Sequence, residues 1–261
     1  MSLPKRQYLI SAYSEDLDWV TQLNEKTRIG VEIKDFSLPS GQGNRERAFE
    51  LWNIWRDTAP ELPVVIHSPF MDIVPGSPEP EVAELAFKQH EEVLNIAEVL
   101  KADAVLFHSG FNPLIKSPQY LENWLASTSA YFRRFLKQHP NLKFLIENMW
   151  EPSPLPLIGL IDSINSSQFR VCVDVGHIQV YSKEPPETWI SQLALRVGHV
   201  HLNDNQGLWD QELALGTGMV PLERVFQAMN NLGFFGNITI EMHGREPILR
   251  SMEYLLKNGM A

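Results

Sequence analysis

RVCVDVGH, residues 170–177, sets an unbroken run of β-favouring apolar residues ahead of an aspartate, Asp174, and a histidine, His177. An apolar run this short reads as a strand buried on both faces. The two polar groups that close it resist burial unless they find a partner. The pattern recurs in VVIHSP (64–69), AVLFHSG (104–110), FLIENM (144–149), HVHLND (199–204) and ITIEMH (238–243). Together these stretches supply His67, His108, Glu147, Asp174, His177, His201 and Glu241. Carboxylates brought to one place repel each other unless a cation holds them. The simplest resolution is a metal site at one end of a parallel β-barrel.

Helical patterns alternate with these strands. QYLISAYS leads into EDLDWVTQLNEKT, with Asp16 as a cap and Gly30 following the helix. GVEIKDF leads into RERAFELWNIWRD, and EVAELAFKQHEEVLNIAEVLKA carries an apolar stripe of Val82, Leu85, Ala86, Val93, Ile96, Ala97 and Leu100. Eight strand–helix pairs with no break in composition imply an α/β fold, a single (β/α)8 TIM barrel spanning residues 1–261. In such a barrel the C-terminal strand ends share one face, and that face carries the chemistry. Neither GxGxxG after the first strand nor GxxxxGK[ST] is present, so no nucleotide cofactor is expected.

Composition fits an ordinary globular chain, 44% hydrophobic over 261 residues. The opening residues lack the apolar core of a signal peptide, and no run is long enough to span a membrane. Cys172 is the only cysteine and reads as a small core residue; a cytoplasmic location and no membrane partner are expected. The net charge of −10 makes nucleic acid a poor partner, although bound divalent ions can reverse the local field.

Glu147, Asp174, His201 and Glu241 come from four successive strands and form the core metal set. Three carboxylates and an imidazole suit Mn²⁺, Mg²⁺, Fe²⁺, Co²⁺ or Zn²⁺, and four ligands leave positions open for water or substrate. His67 and His108 lie on neighbouring strands and can share a further ion bridged by Glu147. His177 sits one turn past Asp174 and can form a third position with Asp210 and Glu212. His67, His108, His177 and Trp150 are also candidates to bind substrate. His199 shares the barrel-facing parity of His201. Glu151, His243 and Arg245 read as loop surface, His90 and His139 as structural, and Trp52 and Trp55 as packing against the barrel.

IHSP, FHSG, IEN, VDVGH, HLND and ITIE resemble the serial motifs of the xylose isomerase-like TIM barrels, which include sugar isomerases, tagatose-type epimerases, inosose dehydratases and endonuclease IV. The resemblance runs from the third strand to the eighth. It implies that Glu147, Asp174, His201 and Glu241 are the shared metal ligands. It also implies that His67, His108, His177 and Asp210 match the extra ligands of the endonuclease IV branch. That branch has Asp-x-His after the seventh strand, whereas Asp210-Gln211-Glu212 stands here. The expected activity is a divalent-metal sugar isomerase or epimerase acting on a small polyol or keto-sugar, with Glu147 and Glu241 exchanging a proton next to a carbonyl. The alternative is an endonuclease IV-like phosphodiester hydrolase using two or three ions. A barrel that binds without catalysis is the third class.

Overall fold

Strand β5 (Lys143–Glu147) shows the rule that builds the molecule. Phe144 and Ile146 face outward into the main apolar core, whereas Leu145 faces inward with Leu9, Val65, Ala104, Leu106 and Cys172. The period-two alternation of a strand thus separates a helix-facing set from a lumen-facing set. A computed structural model of the protein describes residues 6–39 and 43–260.

Eight parallel strands close in chain order: β1 (Gln7–Ala12), β2 (Gly30–Ile33), β3 (Val64–His67), β4 (Ala104–His108), β5, β6 (Phe169–Asp174), β7 (Val197–Leu202) and β8 (Asn237–Ile240), with β8 pairing back onto β1. Around them run helices α1 (Leu17–Thr27), α2 (Arg45–Thr58), α3 (Pro80–Val99), α4 (Pro118–Gln138), α5 (Leu155–Ile164), α6 (Val175–Tyr181), α7 (Pro186–Leu193), α8 (Leu222–Asn231) and α9 (Arg245–Lys257). The expected (β/α)8 barrel is the observed fold. The departure is α6, a seven-residue helix that starts on the residue after β6, with the Asp174 side chain capping it through the His177 N–H.

Apolar lumen residues fill the lower barrel, and the polar ones follow them upward on the same parity: Ser11, Glu32, His67, His108, Glu147, Asp174, His201 and Glu241. Register places His108 beside Glu147 and Asp174 beside His201. Gly30 opens β2 rather than ending α1, whose C-cap is Arg28 in the left-handed region. A Cβ on Gly30 would lie 2.5 Å from Pro63 and 2.9 Å from Leu9, so the close strand approach there needs glycine. Asp16 precedes α1, but its side chain makes no cap; it pairs with Arg245 instead. Trp52 and Trp55 pack edge to face in the helix–barrel core, as the sequence implies. No helix of the described residues is long and apolar enough to cross a membrane.

Candidate metal centre

His201, from β7, is the hub. Its Nδ1 lies 2.5 Å from Glu241 Oε2, 3.3 Å from Glu147 Oε1 and 3.7 Å from Asp174 Oδ2. Its Nε2 faces Glu32 Oε2 at 2.8 Å. A carboxylate can only accept, so Glu32 holds a proton on Nε2 and leaves Nδ1 as the ring nitrogen that faces the other three carboxylates. No hydrogen bond satisfies Nδ1 despite its neighbours. An unsatisfied nitrogen facing three buried carboxylates is a donor set that suits a divalent cation, and these four residues can each offer one ligand atom, all within 4.8 Å of one another.

Glu147 reaches a second cluster through its other oxygen. His67 donates Nδ1–H to the Ser68 carbonyl at 2.9 Å, and His108 Nδ1 faces the Met149 sulfur at 3.2 Å. That leaves the two Nε2 atoms facing each other at 3.2 Å, with Glu147 Oε2 at 3.2 Å from His108 and 3.7 Å from His67. Two lone pairs cannot meet at that distance without a proton or a cation between them. Glu147 Oε2 also lacks a hydrogen bond. Glu147 is therefore placed to bridge two positions. His177 stands beside them: Nδ1 donates to the Asn148 carbonyl at 2.9 Å and Nε2 faces Asp210 Oδ2 at 3.2 Å. Glu212 does not join that pair. Held in a left-handed backbone conformation, it faces His243 at 3.3 Å.

Residues 31–258 match the family described as "Xylose isomerase-like TIM barrel". The chain belongs to that family. Among solved structures, this xylose isomerase-like barrel is similar to a D-tagatose 3-epimerase-like protein (TM-score 0.79, 22% identity, 96% of each chain). It is also similar to the TTHB071 protein of Thermus thermophilus soaked with ZnCl₂ (TM-score 0.76, 22% identity, 96% of this chain and 97% of that one). At these identities the likeness is one of fold. The Methanocaldococcus jannaschii protein MJ1311 is 25% identical over 207 residues, 75% of this chain and 69% of that protein.

The sequence reading missed the floor and one wall of the centre. Glu32 Oε2 also accepts from Thr239 Oγ1 at 2.8 Å, and Thr239 in turn meets His199 Nε2 at 2.7 Å. His199 therefore lies beneath the hub, one step removed from it. Lys34 reaches in from the end of β2, its Nζ bonded to Glu241 Oε1 and 4.0 Å from Glu32 Oε1. Asn203 Nδ2 donates to Asp174 Oδ2 at 3.0 Å, and Asn148 brackets the Asp174 backbone through bonds of 2.9 and 3.1 Å. Glu151 corrects an expectation. It is not loop surface but buried, accepting from Ser109 Oγ and from the Met149 N–H at 2.7 Å. Trp150 beside it is 46% exposed. His243 lies open to solvent, as expected. His139 pairs with Glu98 at 2.7 Å, away from the centre.

Electrostatics report the crowding of negative charge. Burial, with Glu241 and Glu147 adding to it, raises Asp174 to about 6. Burial followed by Glu241 raises Glu212 to about 8. For Lys34, burial works against the charge, but Glu241, Glu32 and Glu147 outweigh it and hold the ammonium above the ordinary lysine range.

One further carboxylate shapes the rim. Asp204 accepts four backbone N–H bonds of 2.8–3.0 Å, from Asn205, Gly216, Gly218 and Val220, and so ties down both ends of the loop after β7. That loop carries Asp210 and Glu212.

Proposed function

We propose that the protein is a divalent-metal-dependent sugar epimerase or isomerase that moves a proton next to the carbonyl of a small, polyhydroxylated keto-sugar. The observation that carries this reading is the placement of Glu147 and Glu241. Both lie within 3.3 Å of the same His201 nitrogen, yet they rise from β5 and β8, three strands apart in a ring of eight. Two carboxylates on facing sides of one centre suit proton removal from one face of a carbon and return to the other. The D-tagatose 3-epimerase-like and L-ribulose 3-epimerase structures of the same fold support the choice of substrate class.

In this reading Glu147, Asp174, His201 and Glu241 hold the ion. A divalent cation there supplies positive charge beside the oxygens that turn negative as the proton leaves. Glu147 Oε2, which lacks a hydrogen bond, is the proton-accepting atom, with His108 Nε2 3.2 Å away. Glu241, anchored through Oε1 by Lys34, is its counterpart on the other face. In this reading His67, His108 and His177 meet substrate hydroxyls, and the half-exposed Trp150, three residues past Glu147, is available to contact substrate. The solitary cysteine suits a cytoplasmic setting.

The test is solvent exchange. Ion-loaded protein is incubated with free ketopentoses and ketohexoses in D₂O, and NMR follows deuterium at the carbon beside the carbonyl. Label and epimer appearing together support the proposal; loaded protein that labels no ketose removes it. The paired His67 and His108 nitrogens favour a second reading, a phosphodiester hydrolase with two or three ions, two of them bridged by Glu147. Metal analysis separates the two: one ion per chain supports the epimerase, and two or three support the hydrolase.

A further inference from the structure

Lys34 is the charge that the metal reading leaves unexplained. Its side chain is 11% exposed, beside Glu241 at 7% and Glu32 at 0%. Among the described residues it is the lysine or arginine whose charged end reaches this cluster. It departs from β2 two positions after Glu32 and on the same face, so strand alternation delivers both to the lumen. Its nitrogen binds one oxygen of Glu241, while the other oxygen of that carboxylate lies 2.5 Å from His201 Nδ1. Glu241 is therefore offered to the centre by one arm only.

We propose that Lys34 is the resident counter-cation of the centre: it keeps the carboxylates assembled before an ion arrives, holds Glu241 one-armed, and limits how tightly a divalent ion binds. The inference rests on the metal reading above and deepens it. Glu32, Glu147, Asp174 and Glu241 are all buried within the barrel mouth. Buried like charges with no counter-ion would drive the strand ends apart. An ammonium beside Glu241 and Glu32 offsets part of that repulsion. It cannot diffuse away, so an incoming ion meets a fixed positive charge. At carboxylate-bridged separations of roughly 5 Å, even the dielectric of water makes that charge worth about tenfold in the affinity of a divalent ion.

The sign of the effect separates this role from mere support. Damage to a site weakens ion binding, whereas removing a competing charge tightens it. The experiment titrates chelator-treated wild type, Lys34→Met and Lys34→Arg with MnCl₂ by calorimetry, and records thermal unfolding with and without the ion. Lys34→Met is expected to bind Mn²⁺ about tenfold or more tightly, to melt lower than wild type when ion-free, and to gain more from the ion. Lys34→Arg, which keeps the charge, stays within about threefold of wild type. If Lys34→Met cannot be isolated ion-free, unfolding on chelation that wild type survives supports the same conclusion. A folded Lys34→Met that binds Mn²⁺ no tighter than wild type overturns this inference alone. Wild type that takes up no ion overturns the metal reading and this inference with it.

Discussion

Replacing Gly176 by alanine sets helix propensity against packing. Gly176 is the second residue of α6, where alanine alone would favour the helix by about 1 kcal/mol. A Cβ at that position, however, would lie 1.7 Å from Asn203 Oδ1 and 2.6 Å from its Cγ. Asn203 would have to withdraw by roughly 1.5 Å to reach an ordinary contact, which carries its Nδ2 out of hydrogen-bonding range of Asp174. The lost bond to an ionised group costs about 1.5–3 kcal/mol, and overpacking adds about 1–3 kcal/mol. The net expectation is a loss of about 2–4 kcal/mol, a fall in Tm on the order of 5–10 °C for a chain of this size. Asp174 also loses its orientation, so ion affinity falls with stability. Thermal and urea unfolding of the chelated protein, with calorimetric ion titration, measure both effects. A Gly176→Ala protein as stable as wild type, with unchanged ion affinity, would refute the steric reasoning and leave propensity as the winner.

Other substitutions probe other parts of the molecule. Glu147→Gln is expected to lower ion content and activity together, and unchanged occupancy on metal analysis takes Glu147 off the ligand set. Glu32→Gln lets an amide donate toward His201 Nε2 and frees the tautomer that Glu32 fixes, so ion affinity should fall about 10–100-fold; an unaltered titration would dismiss that role. His90, buried, donates Nε2–H to the Pro69 carbonyl at 3.0 Å and meets Tyr131 Oη at 2.7 Å. Burial lowers its pKa to about 4. The unfolded chain therefore binds the proton first, and as pH falls from about 6.5 through 4 the protein loses up to about 3 kcal/mol of stability from this residue. His90→Gln keeps a donor and an acceptor, so urea unfolding between pH 7 and 4.5 should show a shallower fall than wild type. Parallel slopes would count against the assignment.

The barrel was legible because its strands are short, apolar and regularly spaced, and because six of them end in groups that resist burial. The same signal marked His67, His108, Glu147, Asp174, His201 and Glu241, which converge at the mouth. Glu32 and Lys34 escaped it. Their strand, GVEI, is brief and opens on glycine, and their charges merge with the polar turn that follows. Glu151 read as surface because a proline-rich turn follows it; only the fold brings Ser109 over it. Asn148 and Asn203 carry no charge to betray them, and their value lies wholly in what they face. Helix α6 is too short to show a period, and its cap is a residue already claimed by the strand before it.

Closure of β8 onto β1 has a consequence for biosynthesis. Glu241 follows β8, and Glu32, which orients His201, comes from β2 at the opposite end of the chain. A nascent polypeptide that stops short of residue 237 has neither the sealing strand nor the last carboxylate. In the proposed reading, an ion at the four-ligand position would therefore be held in full only after nearly the whole barrel is translated, whereas His67, His108 and Glu147 are all in place by β5.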